Sequence, residues 1–82
     1  MEPSGLSYRD RAILRAIAGG TAQLVVSSEP DLFVDGRSCS DQVAVRRLAH
    51  AGLIGPAVPG RPGQRVPAEL TPAGRHELLL AG

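Results

Sequence analysis

Ser40-Asp41-Gln42-Val43-Ala44-Val45-Arg46-Arg47-Leu48-Ala49-His50-Ala51-Gly52-Leu53-Ile54 decides how the rest of this chain is read. Ser40 suits a helix start, because its hydroxyl takes a free backbone N–H of the first turn. Asp41 adds negative charge where the helix dipole favours it. Val45, Leu48 and Gly52 recur with the helical period and mark an inner face. Gln42, Val43, Arg46, Arg47 and His50 fall on the other side. Gly52 tolerates the left-handed conformation that ends helices, and Leu53-Ile54 leads into a strand. The spacing predicts a helix over 40–51, apolar behind and basic in front. A DNA major-groove reader has that form. A solvated surface helix has it too, so the surroundings decide.

The chain has 82 residues, enough for one domain. Chains of this size bury only about 60% of their unfolded surface, so the core is modest. It must be aliphatic, since Tyr8 and Phe33 are the only aromatic residues. The net charge is +1 but is unevenly spread. Residues 1–36 balance to −2 and residues 66–82 to −1, whereas residues 37–65 reach +4 through Arg37, Arg46, Arg47, Arg61 and Arg65 against Asp41. Basic charge concentrated on one helix and the loop after it is expected of a phosphate-facing surface. The single cysteine, Cys39, excludes an internal disulfide and any multi-cysteine metal site. With no long apolar run and no signal-like N-terminus, the expected setting is the cytoplasm.

On the N-terminal side, residues 1–6 read as a loose lead-in. Ser7-Tyr8-Arg9-Asp10 reads as a capping box opening a helix that runs to about Ala18 and stops at Gly19-Gly20. Leu6, Ile13, Leu14 and Ile17 form its apolar stripe, with Arg11 and Arg15 pointing away. Leu24-Val25-Val26 is short and β-branched, hence a strand. Leu32-Phe33-Val34, closed by Asp35-Gly36, reads as a second strand making a hairpin over about 22–34. The competing reading is a short helix from Ser28 to Val34 with an early proline. On the C-terminal side, a strand over 53–58 and a return strand over 65–70 flank the tip Pro59-Gly60-Arg61-Pro62-Gly63-Gln64. Val66, Ala68 and Leu70 share one face of the return strand. Pro67 lacks an N–H and belongs on an edge or at a non-bonded position. Thr71-Pro72 opens a last helix through Leu78-Leu79-Leu80.

Helix, strand, helix, hairpin, helix is the order of a small α+β winged-helix domain. Leu48, Ala51-Gly52-Leu53-Ile54 and Leu70-Thr71-Pro72-Ala73-Gly74-Arg75 resemble bacterial winged helix-turn-helix transcriptional regulators of the MarR and PadR kind. The resemblance spans roughly residues 6–78. It implies sequence-specific binding of double-stranded DNA, with 40–51 as recognition helix and 59–65 as wing. Gln42, Val43, Arg46 and Arg47 would face the groove, and Arg61 and Arg65 would touch the backbone or minor groove. Arg37 leads into that helix and joins the basic set. The chain departs from the family where the helix before the recognition helix is missing or reduced to a turn. That leaves a winged helix docking on a partner protein as the other reading.

No catalytic constellation stands beside these features, so the expectation is a protein that is not an enzyme and takes no cofactor and no metal. His50 and His76 lack partners at metal-ligand spacing, and Ser27, Ser28 and Ser40 lack a base. Gly60-Arg61-Pro62-Gly63 lacks the strand-to-helix setting of a phosphate loop. Leu78, Leu79 and Leu80 cover about 200° of helix surface, whereas a core-facing stripe is little more than 100° wide. At least one of them is expected to face outward and to join a homodimer.

Overall fold

The computed structural model describes residues 6–81. Three helices and a five-stranded antiparallel sheet follow in the order α1 (Tyr8–Ala18), β1 (Ala22–Val25), β2 (Leu32–Val34), β3 (Arg37–Ser38), α2 (Gln42–His50), β4 (Ile54–Pro56), β5 (Arg65–Leu70) and α3 (Pro72–Ala81). The strands lie in the order β3-β2-β1-β5-β4.

The first helix forms as its sequence predicts. Ser7 Oγ accepts from the Asp10 N–H at 3.1 Å, and Asp10 Oδ2 accepts from the Ser7 N–H at 3.0 Å, completing the capping box. Ile13, Leu14 and Ile17 are buried, and so is Leu6. Leu6 therefore belongs to the core rather than to a loose lead-in; residues 1–5 lie outside the described residues.

The region 22–38 is a hairpin with an additional strand, not a short helix. β1 pairs with β2 through Ala22–Val34, Gln23–Phe33 and Leu24–Leu32, and the Asp35-Gly36 turn then sends β3 back along β2. That turn holds Asp35 at φ 54° and Gly36 at φ 80°, which short polar and glycine residues tolerate. Alternation places Ala22, Leu24, Leu32, Val66, Ala68 and Leu70 on the inner face of the sheet. Ile13, Leu14 and Ile17 of α1 and Ala44, Val45 and Leu48 of α2 cover them. Each fully buried leucine among these contributes about 1.5–3 kcal/mol.

The second helix begins at Gln42, one residue later than a cap at Ser40 implies. Asp41 is the cap, its Oδ1 accepting from the Ala44 N–H at 3.0 Å. Gly52, at φ 77°, reverses the chain after the helix and is exposed rather than part of the inner face. β4 stops at Pro56 instead of Val58. Ala57 N–H donates to the Pro67 carbonyl at 2.8 Å, but Pro67 has no N–H to return, so the ladder ends there. β5 is an interior strand, and the missing donor of Pro67 points at the end of its neighbour.

The segments 51–54 and 70–75 meet in one contact. Thr71 N–H donates to the Leu53 carbonyl at 3.0 Å, the Thr71 hydroxyl donates to the Gly52 carbonyl at 2.6 Å, and Thr71 Oγ1 accepts from the Gly74 N–H at 3.0 Å. Gly74 lies so close to Leu53 that a Cβ there would collide with the Leu53 carbonyl oxygen. Alanine ordinarily gains about 1 kcal/mol over glycine inside a helix, whereas over-packing costs about 1–3 kcal/mol. Gly74→Ala is therefore expected to destabilise, seen as a lower urea midpoint. A raised midpoint would show that α3 does not press on Leu53.

Candidate nucleic-acid interface

The outward surface of α2 is set by what its polar residues bind. Gln42, expected to face outward, is turned onto the β2–β3 hairpin. Its Oε1 accepts from the Leu32 N–H at 2.8 Å, and its Nε2 donates to the carbonyls of Leu32 at 3.0 Å and Cys39 at 2.9 Å. The amide takes the Leu32 N–H, shares the Leu32 carbonyl with the Cys39 N–H, and pins the hairpin to the helix. It is spent on the fold and takes no part in the outward face.

Arg47 reaches back to α1. Its Nη1 and Nη2 donate to Asp10 Oδ2 at 3.0 Å and Oδ1 at 2.8 Å. The Asp10 side chain is 1% exposed, the Arg47 side chain 55%. Bonding to the Arg47 guanidinium, aided by the Ser7 N–H, holds the Asp10 carboxyl below the ordinary carboxylate range against the opposing effect of burial. Arg46 Nη2 lies 2.6 Å from Asp31 Oδ1, and its Nε is buried without a hydrogen-bond partner. His50 Nε2 stands 2.9 Å from the Ser28 carbonyl and 2.7 Å from Glu29 Oε2. Both neighbours are acceptors, so this nitrogen donates. The carbonyl, then Glu29, raises the His50 pKa. Arg9 pairs with Asp41 at 3.1 Å. The Ala44 N–H, then Arg9, lowers the Asp41 pKa.

Four acidic residues thus meet four basic ones around α2. None of these pairings was visible in the sequence, where Asp10 and Asp41 read as helix-start residues and Glu29 and Asp31 as parts of a turn. Val43 remains bare, 75% exposed. Arg37 and Arg61 are exposed, and their side chains have no ionic or hydrogen-bonded partner among the described residues. The Arg65 guanidinium lies 3.8 Å above the Phe33 ring, a cation–π contact on the outer face of the sheet.

The loop between β1 and β2 connects α2 to the β4–β5 tip. Val26 N–H donates to the Gln64 carbonyl and Gly63 N–H to the Val26 carbonyl, both at 2.8 Å. At its other end Ser28 and Glu29 hold His50. The loop thus bonds His50 of α2 at one end and the tip that carries Arg61 at the other, while Arg37 stands on the edge strand β3. No group of three or more His, Cys, Asp or Glu able to hold a metal occurs among the described residues. No helix among them is long and apolar enough to cross a membrane. No family model, curated protein or solved structure matches the chain.

These shifts set opposite pH limits. The Asp10 pKa is lowered on folding, so its stabilisation is full above its unfolded value and lost as pH falls through the folded value, below 3.8. The His50 pKa is raised, so its contribution is full below 6.5 and lost as pH rises through the folded value. In urea denaturation followed across pH 2–9, Asp10→Asn should flatten the acid limb and His50→Gln the limb above pH 6.5. Arg47→Ala should cost about 1–3 kcal/mol at pH 7, because it leaves a buried carboxylate without its main donors. An Arg47→Ala protein as stable as the parent would show that the pair does not hold α2 to α1.

Proposed function

We propose that the chain binds double-stranded DNA as a winged helix, with α2 in the major groove and the β4–β5 tip on the backbone, and that it acts as a transcriptional regulator in the cytoplasm. The observation that carries the reading is the β1–β2 loop, which bonds both His50 of α2 and the tip that carries Arg61, with Val43 and Arg47 exposed on the same helix. The arrangement supports it: α2 leads directly into β4, and β1, β5 and β4 lie side by side with β5 in the middle. In this reading the β2–β3 hairpin stands in place of the helix that would precede the recognition helix. Val43 suits contact with a thymine methyl group. Both terminal nitrogens of Arg47 already hold Asp10, so its exposed edge serves a phosphate rather than forking a guanine.

With Arg46 engaged by Asp31 and Arg65 stacked on Phe33 at the outer face of the sheet, the phosphate contacts fall to Arg47 and Arg61. Two neutralised phosphates give a slope of log K against log salt near −1.8, at about −0.9 per contact. Fluorescence anisotropy with a short duplex should show that slope, reduced by about 0.9 in Arg61→Ala. Val43→Glu should abolish binding without loss of stability. Arg47→Ala is a poor probe, because it also unfastens Asp10.

The pairing of Arg46, Arg47 and His50 with acids favours a second reading, in which α2 offers a neutralised face to a partner protein. Duplex binding that is absent, or flat with salt and unmoved by Val43→Glu, would select it.

The DNA reading gains from a two-fold unit, since two reader helices at fixed spacing double the readout. In α3, Leu78 packs against the core, while Leu79 and Leu80 are 79% and 61% exposed. They form the outward pair on which a homodimer would close. Sedimentation equilibrium over a hundredfold concentration range should give twice the monomer mass, reverting to monomer in Leu79→Glu and in Leu80→Glu. A monomer throughout would dismiss the dimer.

A further inference from the structure

A groove of about 360 Å³ lies between α1 and the β2–β3 hairpin. It exists because Ala12 and Ala16, four residues apart on one face of α1, are too short to reach the hairpin. Ile13, Leu32, Val34 and Cys39 complete an apolar floor. From Arg9 to Ala16 the helix beside it runs about 10 Å. Its volume falls in the range of about 300–1,000 Å³ typical of small-ligand sites.

The charges at the rim are unequal. Asp41, the one carboxylate lining the groove, is bonded to Arg9 and to the Ala44 N–H. Arg37 sits opposite Val34 in the β2–β3 register, on the groove side of the sheet, and has no ionic or hydrogen-bonded partner among the described residues. The groove thus offers an apolar floor, one uncommitted guanidinium and no uncommitted anion. A guanidinium presents a planar fork that matches a carboxylate.

We infer that this groove binds a small amphipathic carboxylate, its aliphatic chain along Ala12, Ala16 and Val34 and its head group on Arg37. The site is separate from the α2 surface and does not rest on DNA binding. Cys39, the only thiol in the chain, lies on the floor and reports occupancy.

The test is the rate of Cys39 alkylation by iodoacetamide with decanoate, decanol or decylamine present below micelle-forming concentrations. Decanoate at ten times its Kd should slow alkylation about tenfold, while decanol and decylamine at that concentration should slow it far less. Arg37→Gln should reduce decanoate protection to the level of decanol, and Arg75→Gln, outside the groove, should leave it unchanged. Ala12→Leu should fill the groove, slowing alkylation by itself and removing the decanoate effect. The inference is overturned if decanoate gives no protection, if decanol protects equally, or if Arg37→Gln retains protection.

Discussion

One buried carboxylate holds the helical layer together. Asp10 closes the first turn of α1 through Ser7 and receives both terminal nitrogens of Arg47. Among the described residues it is the only charged side chain buried in the core. A carboxylate taken out of water is costly unless it is paired and fully hydrogen-bonded. Its needs therefore constrain where α2 can lie. Helix rotation that swung Arg47 away would strand the charge, so the exposed edge of α2 is set by a residue 37 positions earlier in the chain.

The same economy governs the other side of α2. Gln42 accepts from the Leu32 N–H and shares the Leu32 carbonyl with the Cys39 N–H, and the hairpin is thereby fastened to the start of the helix. Arg46 and His50 fasten the β1–β2 loop through Asp31, Ser28 and Glu29. The basic residues of α2 are thus fasteners first, and only the part of each that remains exposed is open to an outside partner. The charge available for long-range attraction is smaller than the formal +4 of residues 37–65 implies, and it shifts toward Arg37, Arg61 and Arg65. Arg61 stands on a tip stiffened by Pro59 and Pro62 and tied back to Val26.

The β2–β3 hairpin has a second consequence. A β2–β3 edge cannot fill the space beside α1 as a helix would, and the alanines at 12 and 16 leave that space open. The groove thus depends on the turn at Asp35-Gly36, which lays β3 beside β2 along α1.

Local chemistry by itself determined much of the architecture. The capping box at Ser7, the period of Ile13, Leu14 and Ile17, the Asp35-Gly36 turn, the alternation of Val66, Ala68 and Leu70, and the Thr71-Pro72 start all act within a few residues, so they are legible without the fold. That at least one of Leu78, Leu79 and Leu80 faces outward followed from angular spacing; that it is Leu79 and Leu80 was set by the packing of Leu78 against the core. Three matters were decided only by the tertiary structure. The cap is Asp41 rather than Ser40, its Oδ1 taking the Ala44 N–H while its Oδ2 meets Arg9 of another helix. β4 ended early because Pro67, eleven residues further on, has no proton to offer Ala57. Gln42, Arg46 and Arg47 shared one polar face by period, yet each was claimed by a partner 10 to 37 residues away. Periodicity states which way a side chain leaves its helix. It is silent about which distant acid or backbone group meets it there, and that meeting decides whether a charge is free to act.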